Sequence, residues 1–184
     1  MLYTKKGDDG KTNIFSAQGG PASGWGCDQR LSKSSVITEA LGCLDEANSF
    51  LGICKTNVDD TEIKNVVEKI QNNLFITQAQ VAGTDKKIKE EDIRYIEKII
   101  ADIEKKLPEI KSFLISGANQ NSANFDFART LVRRAERRVV AVNDEGMTEI
   151  DSQTLIFMNR LSSLLYALAR YYALENGPEI SPKY

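Results

Sequence analysis

Apolar residues recur at three- and four-residue spacing along most of this chain, and that spacing decides what it can fold into. The first run contains Ala40, Leu41, Leu44, Ala47 and Leu51. Such spacing gives a helix one apolar face. The pattern returns after Asp60 and over about 90–107, 119–142 and 152–175. Because each apolar face must be buried against another helix, the sequence predicts an all-α protein, a five-helix up-and-down bundle.

Capping and stop signals predict the helix boundaries. The first helix is expected from Lys33 onward. Asp59 and Asp60 precede the second helix, and Glu62 stands three residues after Asp59, as in a capping box. Pro108 should stop the third helix. Helices of about 20 residues with short connections favour antiparallel neighbours.

No strand alternation, internal repeat or second domain is evident, so a single domain is predicted over 1–184. Residues 1–32 are rich in glycine and are expected to be irregular. The helical bundle should occupy 33–176, ending at the Gly177-Pro178 stop signal, with a tail over 177–184.

Charge and composition exclude several classes of partner. The net charge is −2, which gives no reason to expect nucleic acid or an anionic membrane. The chain has no long apolar run and no signal peptide, so a cytoplasmic protein is expected. Cys27, Cys43 and Cys54 lack the spacing of a metal site, which favours ordinary buried thiols.

The chain contains no histidine. This absence excludes Ser-His-Asp and Cys-His catalysis. It also excludes the usual zinc and non-haem iron sites. A metal ion held here would be bound by oxygen atoms, which indicates magnesium.

The segment KKGDDGKTNIF, residues 5–15, includes a possible phosphate-binding sequence. Gly10, Lys11 and Thr12 resemble the end of a P-loop, but Lys5 stands where that motif requires glycine. A P-loop also follows a buried strand, and only four residues precede this segment. The P-loop is therefore rejected, although a segment of glycines with a lysine and a hydroxyl can still contact phosphates.

The fourth predicted helix carries ARTLVRRAERRVV, residues 128–140. Its apolar stripe comprises Ala128, Leu131, Val132, Ala135 and Val139. Arg129, Arg133 and Glu136 follow one edge of that stripe, with Arg137 close by. Two interpretations stay open: a solvated helix with Arg–Glu pairs within the helix, or a site for a polyanion such as triphosphate.

Two further helices place polar residues near apolar faces. Asp45 and Asn48 lie near the apolar face of the first helix. A buried aspartate there would need a cationic partner. Asn159 and Ser162 share one side of the fifth helix, where they are either hydrogen-bonded core residues or ligand contacts.

Five motifs, in order over residues 3–170, resemble the PduO-type ATP:cob(I)alamin adenosyltransferases. They are YTKKGDDGKTNIF, LGCLDEANSFLG, FLISGA, ARTLVRRAERRVV and FMNRLSSLLYALAR. The resemblance implies a homotrimer with active sites between subunits. It implies transfer of the 5′-deoxyadenosyl group of ATP to the cobalt of cob(I)alamin, with release of triphosphate. A cobalamin reductase and an adenosylcobalamin-dependent mutase are implied as partners.

The resemblance also implies roles for individual residues. The N-terminal segment is a mobile loop that folds over ATP in this family, and the matching contacts are Thr4, Gly7, Asp8, Gly10, Lys11 and Thr12. Arg133 matches the central phosphate ligand, with Arg137 and Lys33 as lesser candidates. Glu136 and Asn159 would help to hold Mg²⁺, ATP or nearby waters.

Two more matches concern the subunit interface and the corrinoid. Asp45 matches an aspartate that pairs with an arginine of the neighbouring subunit, here Arg129. Phe113 matches an aromatic residue that packs under the corrin and displaces the lower axial ligand, which makes the resulting four-coordinate Co(II) easier to reduce.

The sequence departs from the family pattern at six positions: Asp9, Ile37, Leu41, Ser116, Asp126 and Ser163. Asp9 stands where lysine is common and Ile37 replaces an arginine. Each lost phosphate contact would cost about 1.5–3 kcal/mol. Lys5, Lys6 or Arg30 are candidates to compensate. A nucleotide or adenosylcobalamin carrier without turnover is one alternative. The other is a ferritin-like di-metal protein, which requires histidine.

Overall fold

The computed structural model describes residues 5–14, 30–176 and 180–183. The predicted roles of Thr4 and Cys27 and the stop signal at Gly177-Pro178 therefore lie outside the described residues. Five α-helices form the protein: α1 Val36–Asn57, α2 Thr61–Val81, α3 Glu90–Glu104, α4 Gln120–Asp144 and α5 Ser152–Ala173, followed by a 3₁₀ turn at Leu174–Asn176. The five-helix prediction is confirmed.

Successive helices run in alternating directions, and two of the packed pairs, α1–α4 and α3–α5, join helices that are not consecutive in sequence. The α4 helix packs against both α1 and α5, and α3 packs on α5. The α3–α5 pair is parallel, since Arg160 contacts Glu97 and Arg170 contacts Pro108 further along both segments. The predicted up-and-down order therefore holds for helices consecutive in sequence, and the parallel pair joins two helices that are not consecutive. The connection over 105–119 allows this arrangement, because it is too long to force α3 against α4.

The core is built from the predicted apolar faces. Ala128, Val132, Ala135 and Val139 on α4 are completely buried. Phe125 on α4 stacks on Tyr172 of α5, with ring centroids 5.5 Å apart. Removing these surfaces from water is the main favourable term in folding.

Two cysteine thiols belong to this core. Cys43 and Cys54 are both buried and free, as predicted. Burial raises the pKa of the Cys54 thiol to about 12. The group is therefore a protonated, small apolar side chain.

Several helix boundaries differ from those predicted. The first helix begins at Val36 rather than Lys33, because the Ser35 hydroxyl accepts a hydrogen bond from the Thr38 amide and caps it. The third helix ends at Glu104, three residues before Leu107, and is only 15 residues long. Asn119 caps the fourth helix, which continues to Asp144.

The predicted capping box at the start of α2 is wrong. Asp60 is the N-cap, and its carboxylate accepts hydrogen bonds from the amides of Glu62 at 2.8 Å and Ile63 at 3.3 Å. Glu62 is therefore one position too early to return a bond as a capping box requires.

We expect Asp60→Ala to lower the free energy of unfolding by about 1 kcal/mol, because it leaves two helix amides without their cap. Asp59→Ala is the matched control, since Asp59 is exposed and does not cap the helix. Urea denaturation of both variants measures the difference. Equal losses in the two variants would contradict the assignment of the cap.

A short ladder joins the N-terminal segment to the bundle. Strand β1, Lys11–Thr12, pairs antiparallel with β2, Leu31–Ser32. The prediction of no strands missed this ladder, since two residues per strand leave no alternation to detect. Because β2 leads directly into α1, the ladder places the glycine-rich segment at the start of that helix. Across the described ranges, no helix is long and apolar enough to cross a membrane.

Candidate functional site

A cleft lies between α4, α5 and the irregular segment that precedes α4. Its volume is about 550 Å³, within the range of small-molecule sites. Its lining side chains include Phe113, Asp126, Arg129, Arg133, Ser163 and Tyr166. The cleft thus combines two cations, one carboxylate and two aromatic rings. Two of the three residues predicted to be catalytic, Arg133 and Phe113, lie here.

Arg129 is held in place by its neighbours. Its Nε donates to Asp126 Oδ1 at 2.8 Å, and both side chains are partly buried. Its guanidinium lies over the Tyr166 ring, 5.8 Å from the centroid. Asp126 and Tyr166 were not predicted as site residues. The pairing of Asp126 with Arg129 could have been predicted from their spacing, since residues three apart on a helix lie on the same side.

Arg133 is the exposed arginine of α4 that lines the cleft without a described ion-pair partner. Its side chain is exposed. Among the described residues, no carboxylate lies within ion-pair distance of its guanidinium, whereas Arg134 pairs with Glu46 and Arg138 pairs with Glu39. Those two pairs join α4 to α1. The solvated-helix interpretation had instead assumed Arg–Glu pairs within α4. Arg137 also has no described ion pair, but it does not line the cleft, so Arg133 is the cleft arginine whose charge is available to an anion.

Two other predicted residues, Glu136 and Asn159, join α4 to α5 through a hydrogen bond. Asn159 donates to Glu136 Oε1 at 3.2 Å, and Arg160 donates to Asn159 Oδ1 at 3.0 Å. Arg137 donates to the Arg133 carbonyl at 3.1 Å. Ser162, by contrast, donates its hydroxyl to the Asn159 carbonyl within α5. Within the described ranges, no group of three or more carboxylate or thiol side chains is placed to hold a metal ion.

The glycine-rich segment is folded around Lys33. The Lys33 amine donates to the Gly7 carbonyl at 2.7 Å, and its amide donates to the Gly10 carbonyl at 2.9 Å. Gly10 has φ +77°, a conformation that favours glycine. A methyl group added at Gly7 would lie 3.0 Å from the Lys33 amine. Gly10 therefore has a conformational reason to occur here, whereas a side chain at position 7 would only require the flexible end of Lys33 to shift.

Arg30 organises the same segment. It pairs with Asp9 at 2.7 Å and donates to the Lys11 carbonyl at 2.9 Å. Asp9 accepts a hydrogen bond from the Lys11 amide, and this bond together with Arg30 lowers the pKa of the Asp9 carboxyl. Asp9 stands where lysine is common in the family motif, and here it links Lys11 and Arg30 within the N-terminal segment. Arg30 is engaged within the segment, which makes it a poor candidate to replace a lost phosphate contact.

The other substitutions fall into two groups. Ile37 is buried at 4% exposure, and Leu41 is half-buried against the same core. Ser116, Ser163 and Asp126 all line the cleft. The first group therefore changes packing, whereas the second changes the chemistry of the cleft surface.

A second groove, on α1 and α2, contains the predicted interface residue. Its volume is about 400 Å³, and Asp45, Asn48, Gln71 and Phe75 help to line it. Asp45 is exposed, while Asn48 is buried with its Oδ1 lacking a hydrogen-bond partner. Asp45 and Arg129 are not an ion pair within this chain, where Arg129 pairs with Asp126.

Comparison with known proteins decides the family. The family model for cobalamin adenosyltransferase matches residues 2–172. The chain belongs to the cobalamin adenosyltransferase family. The corrinoid adenosyltransferase PduO of Citrobacter freundii is 34% identical over 178 residues, covering 92% of this chain and 49% of that protein. The corrinoid adenosyltransferase of Bacillus subtilis is 33% identical over 184 residues, covering 96% of this chain and 88% of that protein.

Solved structures of this family share the fold. A phenylalanine-to-alanine variant of the PduO-type ATP:corrinoid adenosyltransferase from Lactobacillus reuteri, complexed with cobalamin and ATP, aligns with a TM-score of 0.87 and 31% identity over 100% of both chains. An arginine-to-lysine variant from the same organism, complexed with ATP, aligns with a TM-score of 0.85. The resemblance stated from the sequence is confirmed. The chain spans about half the length of the PduO relatives from Citrobacter freundii and Salmonella typhimurium.

Proposed function

We propose that this cobalamin adenosyltransferase family member transfers the 5′-deoxyadenosyl group of ATP to the cobalt of cob(I)alamin. The products are adenosylcobalamin and triphosphate. The observation that carries the proposal is a single cleft in which an available guanidinium, Arg133, lies beside an exposed aromatic ring, Phe113. The Lactobacillus reuteri relatives that are complexed with cobalamin and ATP support both substrates.

The proposed reaction needs no activated side chain. The electron pair of Co(I) attacks C5′ of ATP and forms the cobalt–carbon bond. The bond from C5′ to the α-phosphate oxygen breaks, and its electron pair leaves with triphosphate. The protein positions the two substrates and stabilises the charge that grows on the leaving group. A chain without histidine is compatible with this chemistry.

In this proposal, cationic side chains bind the phosphates of ATP. Arg133 binds the triphosphate through charged, forked hydrogen bonds, with Arg137 as a secondary contact. Gly7, Asp8, Gly10, Lys11 and Thr12 cover the nucleotide from the N-terminal segment. Lys33 supports that segment through the Gly7 carbonyl, and this bond limits its own contact with ATP.

The proposal includes Mg²⁺ beside the cleft, at Glu136, three residues after Arg133 on α4. This ion is commonly held by one or two carboxylates together with substrate phosphates. Glu136 offers one carboxylate, and Asn159 fixes its orientation through the hydrogen bond between them. Glu136 is therefore the proposed protein ligand, with the remaining positions filled by phosphate oxygens and water. The bound ion would neutralise phosphate charge.

We also propose a homotrimer with active sites between subunits. The supporting observations are the groove at Asp45 and the exposed rings of Phe75 and Phe127, which are 58% and 53% exposed. Arg129 uses only its Nε for Asp126, so both terminal nitrogens remain for Asp45 of a neighbouring subunit.

Asp45→Ala is expected to weaken the trimer about tenfold or more, because it removes one charged partner at each interface. Sedimentation velocity across a concentration series measures the change. Asp102→Ala on α3 is the matched control, since Asp102 pairs only locally with Lys105. Identical sedimentation and cobalamin affinity in Asp45→Ala and the unmodified protein would reject the proposed interface.

Anaerobic mixing of the protein with ATP, Mg²⁺ and chemically reduced cobalamin tests the activity. We expect the visible spectrum of Co(I) to give way to that of adenosylcobalamin, with one triphosphate released for each corrinoid. Binding of both substrates without product would instead support a carrier, the alternative raised by the substitutions at Asp9 and Ile37. Failure to bind either substrate would reject both functions.

The proposal includes two partners and a compartment. A cobalamin reductase is required because Co(I) must be generated by one-electron reduction. An adenosylcobalamin-dependent mutase would consume the product. We place these steps in the cytoplasm.

A further inference from the structure

The Phe113 loop, residues 109–118, projects its aromatic ring into solvent. Phe113 is 79% exposed and Ile115 is 54% exposed. The loop contains no helix or strand. Burial therefore cannot hold the ring in one orientation, so any restraint on it must come from the hydrogen bonds of the loop.

Two hydrogen bonds join the Phe113 loop to the C-terminal segment 180–183. The Ile115 amide donates to the Ile180 carbonyl at 2.8 Å. The Ser112 and Ser181 hydroxyls lie 2.6 Å apart. Among the described residues, these are the only hydrogen bonds seen from positions 109–117 to another part of the chain. The Ser112 contact lies one residue before Phe113, and the Ile115 bond lies two residues after Phe113. The two hydrogen bonds therefore flank the ring on both sides in sequence.

The loop and the tail also line a small, mostly apolar pocket beside the cleft. Leu114, Ile115 and Ile180 line it from the loop and tail, and Ala169 and Ala173 line it from α5. Its volume is about 110 Å³. It shares Asp126 and Tyr166 with the cleft, so the tail is continuous with the candidate site.

We propose that Ile180 and Ser181 are positioning residues, which hold the Phe113 loop in the orientation that receives the corrinoid. This inference rests on the proposed function. Ile180 is itself 62% exposed, so the tail contributes little to the core. Its effect should therefore fall on corrinoid binding and not on folding or ATP binding.

Truncation after Asn176 tests this role. Losing two hydrogen bonds should raise the KM for cob(I)alamin about tenfold, while the KM for ATP changes less than about twofold. Ser181→Ala should raise the corrinoid KM about threefold. Ser181→Thr keeps the hydroxyl and should restore the unmodified value. Lys183→Ala is the matched control in the same tail, because Lys183 is exposed and has no described contact with the loop.

The outcomes separate this inference from the proposed function. If the unmodified protein forms adenosylcobalamin and the truncated protein has the same corrinoid KM, the positioning role is wrong and the activity stands. A parallel rise in the KM values for both substrates, or a lower melting temperature, would also overturn it, since either indicates general disruption. If the unmodified protein forms no adenosylcobalamin, the proposed function fails first.

Discussion

Arg133→Ala is expected to lower kcat/KM by about a hundredfold or more, the effect of removing one well-placed donor from a developing anion. Arg133 lines the cleft, is exposed, and has no described carboxylate within ion-pair distance. Its loss should therefore leave the bundle intact while the departing triphosphate loses a charged partner. Steady-state kinetics with cob(I)alamin and ATP measure the effect, and sedimentation checks the assembly.

Two variants sharpen the interpretation of Arg133→Ala. Arg133→Lys keeps the charge but loses the planar fork, so an intermediate activity is expected. Arg94→Ala is the matched control, since Arg94 pairs with Glu90 on the exposed face of α3. Unchanged activity in Arg133→Ala would remove this residue from the site.

Phe113→Ala should separate the reduction of cobalt from the transfer of the adenosyl group. Turnover that starts from cob(II)alamin and a reductant should fall about a hundredfold, whereas turnover from cob(I)alamin should fall less than about tenfold. The reason is the proposed packing of the ring under the corrin, which matters most while the lower ligand must be displaced. Anaerobic assays from the two oxidation states measure the difference.

The control for Phe113→Ala is Ile110→Ala in the same loop. Ile110 is 51% exposed and does not line the cleft, so both assays should give unmodified rates. Thermal unfolding of both variants should also be unchanged, because neither side chain belongs to the core. Equal losses from Co(II) and Co(I) in Phe113→Ala would contradict a role in reduction.

Much of the fold was predictable because its signal is periodic. The stripe of Ala128, Val132, Ala135 and Val139 identified the buried face of α4 before any contact was known. The arginines along its edge followed from the same geometry, since residues three and four apart lie on one side of a helix. The parallel packing of α3 on α5 was not predictable in this way, because it depends on a long connection whose path carries no periodic signal.

The missed features of the candidate site join segments far apart in sequence. Arg30 was considered as a phosphate contact, but it pairs with Asp9 across 21 positions. The Ser112–Ser181 contact spans 69 positions. Neither follows from helical spacing, and both involve irregular segments. The capping box placed the N-cap of α2 at Asp59, one position too early. Asp59 and Asp60 have the same side chain, and only the hydrogen bonds to the helix amides distinguish them.

A crystal structure with a nonreactive ATP analogue and Mg²⁺ tests the central claim most directly. The account predicts the Arg133 guanidinium within about 3 Å of triphosphate oxygens, in a site completed by a neighbouring subunit. A bound triphosphate elsewhere, with Arg133 turned toward bulk water, would contradict it.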